Sequence, residues 1–93
     1  MGAEKGIETK LRDAVKTLKG LAIKIYCLSF TGLPDRIVLM PGGRIWFVEL
    51  KAPGKKPSPQ QLLVHGLLRK LGFEVWVIDT REILQEFINR IQK

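Results

Sequence analysis

Ninety-three residues with 45% apolar content and a mean hydropathy of +0.03 describe one domain with a single modest core and argue against disorder. Sixteen Lys and Arg against nine Asp and Glu leave a net charge of +7, which favours a polyanionic partner through counterion release but does not by itself require one. One cysteine, Cys27, and one histidine, His65, exclude an internal disulfide framework and a Cys/His zinc site built from this chain alone. Any resident metal is therefore expected to be held by oxygen.

From Glu4 to Leu18, Ile7, Leu11, Ala14, Val15 and Leu18 recur at helical spacing and Gly20 supplies a stop, which predicts a helix of about 15 residues. Leu21 to Phe30, rich in β-branched and aromatic residues, predicts a strand that places Cys27 in the core. Arg36 to Met40 and Arg44 to Lys51 flank Pro41-Gly42-Gly43 and predict a hairpin. Ala52 to Pro59, with its Lys, Pro and Gly, predicts a loop. Ser58 then fits an N-cap, Pro59 the first helical turn and Gln61 the reciprocal capping-box position of a second helix, with Leu63, Val64, Leu67, Leu68 and Leu71 as its apolar face. Phe73 to Ile78 predicts another strand, and Asp79 or Thr80 caps a last helix bearing Ile83, Leu84, Phe87, Ile88 and Ile91. The order α-β-β-β-α-β-α fits an α/β fold, a mixed sheet flanked by helices, over one domain spanning residues 1–93. Trp46 and Trp76 alternate with apolar neighbours and read as packing residues.

No apolar run approaches the roughly 20 residues of a membrane span, and Met1-Gly2-Ala3-Glu4-Lys5 lacks the layout of a secretory signal. Both observations predict a cytoplasmic protein without a membrane partner.

Charged residues interrupt the predicted hairpin. If Pro41 to Gly43 form a three-residue loop and Met40 faces Arg44, the residue numbers of opposed pairs total 84 and Asp35 lies across from Glu49, with Cβ atoms roughly 5 Å apart. Side chains alternate along a strand, so Lys51 shares the face of Glu49. A two-residue loop would turn Asp35 to the other side unless a bulge compensated. Two converging carboxylates repel unless a hard cation such as Mg²⁺ sits between them, and such an ion also accepts a backbone carbonyl, here that of Leu50. The ion would polarise a phosphoryl oxygen and lower the pKa of a bound water. Lys51 is suited to orienting that water or stabilising the transition state. The competing interpretation is a salt bridge between Lys51 and either carboxylate at a sheet edge. Lys51, Lys55 and Lys56 set positive charge beside the site, where a phosphodiester would need it.

Three segments, Gly32-Leu33-Pro34-Asp35, Phe47-Val48-Glu49-Leu50-Lys51 and Ser58-Pro59-Gln60-Gln61, occur in an order and spacing that resemble the VRR-Nuc family of the PD-(D/E)xK nuclease superfamily. The resemblance runs from the first helix to the last strand, and stand-alone domains of this size resemble the phage and bacterial members, which implies the cytoplasm of a bacterial or phage-infected host. It implies a restriction-endonuclease-like core, Mg²⁺ or Mn²⁺ as cofactor, and DNA, often branched or flapped, as substrate. It also carries Glu8 over to the family's acidic position in the first helix, contributing to the metal site directly or through water, and Gln61 to the family's glutamine beside the catalytic lysine or water. Other interpretations stand beside these: Glu8 could pair with Arg12 at i,i+4, and Gln61 could serve as a cap, since one side chain cannot readily do both. His65, one turn after Gln61, is either near the bound phosphate or a satisfied helical side chain.

A domain this small has little surface for reading base sequence, so DNA shape and phosphate geometry are the expected targets. The last helix could offer a dimer face or simply cover the sheet. A two-fold dimer suits a two-fold substrate, which predicts a homodimeric Holliday-junction resolvase. A flap or generic structure-specific nuclease and a non-catalytic nucleic-acid-binding module are the alternatives.

Overall fold

The computed structural model describes residues 3–93; Met1 and Gly2, the start of the segment read above for a secretory signal, lie outside the described residues. Seven elements follow one another: α1 (Ala3–Thr17), β1 (Leu21–Lys24), β2 (Arg36–Met40), β3 (Arg44–Leu50), α2 (Pro59–Lys70), β4 (Glu74–Ile78) and α3 (Arg81–Ile91). The strands form one sheet in the order β1-β2-β3-β4. The first two pairings are antiparallel. β4 joins β3 in parallel after the α2 crossover, as a parallel neighbour requires. The α/β order and the mixed sheet are those expected from the sequence.

The β2–β3 pairing runs from Met40↔Arg44 to Arg36↔Val48, the register of the three-residue loop. Gly42 and Gly43, at φ 84° and 74°, supply the left-handed backbone that such a tight reversal demands and that residues with a Cβ adopt at a cost. Alternation then sorts the side chains. Val38, Met40, Trp46, Val48, Leu50 and Ile78 form one cluster with Ile7, Leu11 and Val15 of α1 and Leu84, Phe87 and Ile91 of α3. Trp46 and Trp76 meet the Phe87 ring edge-on, with centroids 6.4 and 5.3 Å away, so both indoles are packing residues. The other face carries Ile37, Phe47 and Glu49 in phase and receives α2, whose buried residues are Val64 and His65.

Two expectations change, and one open choice narrows. β1 stops at Lys24 rather than Phe30, and Cys27 is exposed. The β1–β2 register pairs Lys24 with Arg36 and Ile25 N–H still donates to the Asp35 carbonyl at 2.9 Å, but the next partner would be Pro34, which has no N–H to offer. Of the two uses open to the last helix, Leu84, Phe87 and Ile91 serve as cover for the sheet. Along α2 and its C-cap the apolar stripe is split: Val64 is buried, whereas Leu63, Leu67 and the cap residue Leu71 are exposed.

Among the described residues no helix is long and apolar enough to cross a membrane.

Candidate metal and catalytic site

β2 has ended one residue before its ladder would reach Glu49, and the Asp35 side chain takes over the pairing. Lys51 N–H donates to the Ile78 carbonyl of β4 at 3.0 Å, so the preceding N–H, that of Leu50, faces β2. It donates to both carboxylate oxygens of Asp35, at 3.2 and 3.3 Å. Backbone N–H bonds to a carboxylate fix its direction. Pro34, fully buried, fixes the approach of the chain. Gly32, at φ +93°, lies against α2 so closely that a Cβ would come within 2.8 Å of Val64 Cγ2 and 2.9 Å of the Gln60 carbonyl. Gln60 Nε2 also donates to the Thr31 carbonyl at 3.4 Å. The segment leading to Asp35 is thus fastened to α2 on one side and to β1 and β3 on the other.

Glu49 is 3% exposed, on a strand with neighbours on both sides. An isolated carboxylate at such a position would be strongly disfavoured. Three side chains surround it. Lys51 Nζ lies 3.5 Å from Oε2, Gln61 Nε2 donates to Oε2 at 3.1 Å, and His65 Nε2 lies 3.6 Å from Oε1. The ion pair with Lys51 anticipated as the alternative to a metal site does exist, but on a central strand and against a buried carboxylate, not at a sheet edge.

Gln61 caps the helix, and its other end reaches Glu49 and not the lysine or water that the resemblance implied. Its Oε1 accepts from Ser58 N–H at 2.9 Å, closing a capping box in which Ser58 Oγ accepts from Gln61 N–H at 3.2 Å. The amide nitrogen remains free for Glu49. The two ends of a carboxamide are different groups, so a cap made with the oxygen leaves the donor end available.

His65 is fully buried, and it is not at the surface where a phosphate would sit; the imidazole lies beneath Glu49. Burial holds its pKa below the ordinary histidine value even though the neighbouring carboxylate pulls the other way. Lys55 and Lys56 are exposed on the loop after β3, which a turn closes through Lys55 N–H to the Ala52 carbonyl at 2.9 Å.

Glu8 is not brought to Asp35 and Glu49. Its carboxylate pairs with Arg36 Nη2 and lies 3.4 Å from Lys24 Nζ. Arg12 meets Asp13 at 3.7 Å instead of Glu8. The reason is Arg36, which is in phase with Val38 and Met40, faces α1, is 8% exposed, and needs an acid there. The register that aligns Asp35 with Glu49 also turns its neighbour Arg36 to the opposite face. That alternation was the available signal.

Among the described residues no three His, Cys, Asp or Glu side chains converge as a metal-binding group. The donors at hand are two carboxylates and a backbone carbonyl, all hard oxygens. This set fits Mg²⁺ or Mn²⁺, because Mg²⁺ keeps several waters and needs only one or two carboxylates from the protein.

No family model matches the chain. It is 44% identical over 80 residues to "Putative nuclease p44" of Acyrthosiphon pisum secondary endosymbiont phage 1, covering 86% of each protein. Among solved structures it superposes on one titled "VRR_NUC domain" with a TM-score of 0.88 and 32% identity, over 96% of this chain and 97% of that one.

Proposed function

Because this chain belongs to the VRR-Nuc family, we propose that it is a metal-dependent endonuclease hydrolysing phosphodiester bonds in DNA, and that as a homodimer it resolves four-way junctions. The observation that carries this reading is the meeting of Asp35, Glu49 and Lys51 at the end of the β2–β3 hairpin, with Asp35 pinned by Leu50 N–H and Glu49 buried against Lys51 and Gln61. Asp35, Glu49 and the Leu50 carbonyl would hold Mg²⁺ or Mn²⁺; in a strand the N–H and C=O of one residue leave on the same side, so that carbonyl is turned toward Asp35. The ion, when bound, supplies Lewis-acid polarisation of the scissile phosphate and a more acidic water. Lys51 orients the attacking water in line with the leaving oxygen and offsets the charge that builds on the phosphoryl oxygens. Gln61 keeps Glu49 from swinging, and Lys55 and Lys56 bind the DNA backbone. Glu8, occupied by Arg36 and Lys24, is left out of the ligand set.

The leucines Leu63 and Leu67 of α2 and Leu71 at its C-cap, one turn apart and exposed, are the surface we assign to self-association, since a contiguous apolar stripe in water marks an interaction site. A two-fold dimer presents two equivalent sites to a two-fold substrate.

Incubation with labelled four-way junction, flap and plain duplex, each with Mg²⁺ and with EDTA, tests the reading. Paired nicks across the junction with Mg²⁺ and none with EDTA are expected, from a protein that light scattering finds dimeric. Equal or faster cutting of the flap would reassign the substrate, and a monomer at working concentration would remove the two-fold argument. Salt-sensitive DNA binding with no cleavage under any condition would make the domain a binding module.

A further inference from the structure

His65 has no role in the mechanism above, yet it is among the most completely buried side chains of the protein. Both of its ring nitrogens lack a hydrogen-bond partner, and so does Glu49 Oε1. These orphans face one another, with Nε2 3.6 Å from Oε1. That separation is too long for a hydrogen bond, but buried polar groups are rarely left unpaired, and a donor and an acceptor with no other partner are one small side-chain movement from a bond. The other carboxylate oxygen is already held, by Gln61 Nε2 at 3.1 Å. Gln61 and His65 are four residues apart on α2 and so project from the same side of the helix.

We propose that His65 is a positioning residue for Glu49: its Nε2–H is directed at Oε1 while the Gln61 amide holds Oε2, so that α2 grips the carboxylate at both oxygens and fixes it for metal binding. The imidazole is the tautomer protonated on Nε2. A proton on Nδ1 instead would bury a donor against nothing and set the Nε2 lone pair against that of Oε1. The inference rests on the reading of Glu49 as a metal ligand, to which it adds the support behind the ligand. Outer partners of this kind orient a ligating group and commonly alter metal affinity or activity when removed.

Two measurements test it. Nitrogen-15 NMR of the imidazole in the unaltered protein should report Nε2–H; an Nδ1–H tautomer overturns the proposal, and this readout needs neither a variant nor a metal. Calorimetric titration of the DNA-free protein with Mn²⁺ should then find affinity weakened roughly 10- to 100-fold in His65→Leu and largely recovered in His65→Gln, whose amide can still donate. Unchanged Mn²⁺ affinity in a folded His65→Leu protein, or equal weakening in both variants, would reduce His65 to a packing residue. Should His65→Leu fail to fold, the tautomer decides. Absence of Mn²⁺ binding by the unaltered protein would overturn the metal reading of Glu49 itself, and is thereby distinguished from a wrong tautomer.

Discussion

In the proposed mechanism, Lys51 is the residue on which cleavage turns most sharply. Its ammonium lies 3.5 Å from Glu49 Oε2 and is partly open to solvent, so it can reach both the carboxylate and a phosphate above it. Lys51→Ala should lower single-turnover cleavage by roughly 100- to 1000-fold or more, the scale of losing one preorganised charge-stabilising donor. Circular dichroism and DNA binding should stay near those of the unaltered protein, because Gln61 still satisfies Glu49 Oε2. Full cleavage by that variant would sink the assignment of Lys51. The placement of Asp35, Glu49 and Lys51 on one face is legible in the sequence, since strand alternation and a three-residue loop leave one arrangement only. The places of Glu8 and His65 are not. Where a helix side chain lands depends on how the helix is rotated against the sheet, and nothing in the spacing of Glu8 or His65 reports that rotation. Arg36 takes Glu8 to the opposite face of the sheet, and α2 presents His65 to the inside while it leaves Leu63 and Leu67 outside.

At the scale of elements, the start of α2 joins stability to the site. Ser58 and Gln61 close the capping box, and the same Gln61 holds Glu49, so the helix end and the carboxylate share one side chain. Ser58→Ala removes the acceptor for Gln61 N–H and should cost about 1 kcal/mol, read as a fall of about 4–8 °C in the melting temperature of a domain this size. A cap with no link to the site would leave cleavage unchanged once the protein is folded. Here a looser first turn should also lower the single-turnover rate measured well below the new melting point. A rate equal to that of the unaltered protein would show that Gln61 holds Glu49 without help from the cap. This helix start was plain in the sequence, because Ser-Pro-Gln-Gln satisfies local rules that tertiary context seldom overrides. β1 was misjudged for the converse reason. Strand composition extends to Phe30, but a strand needs a partner, and the partner ends at Pro34. Tyr26, Cys27 and Leu28 are left exposed as a result.

For the molecule as a whole, the governing quantity is a net charge of +7 on 93 residues. A field of that sign draws DNA to the protein irrespective of base sequence, and each phosphate neutralised releases condensed counterions, so the logarithm of the affinity falls linearly with the logarithm of salt concentration, by about 0.9 per contact on duplex DNA. Lys55 and Lys56 are exposed on the loop that leaves β3 directly after Lys51, which puts them beside the scissile phosphate if the site acts as proposed. Replacing both with alanine should therefore reduce the slope by about 2. The loss should be uniform across DNA sequences, because phosphate contacts carry no base information. Fluorescence anisotropy with one catalytically silenced background, Lys51→Ala, across a salt series measures that slope without cleavage intervening. An unchanged slope would place the backbone contacts on other basic residues and detach the Lys-rich loop from the DNA path. A slope reduced by about 2 together with an unchanged preference for junction over duplex would separate the two contributions, leaving affinity to the charge of the loop and the choice of structure to the geometry of the assembled sites.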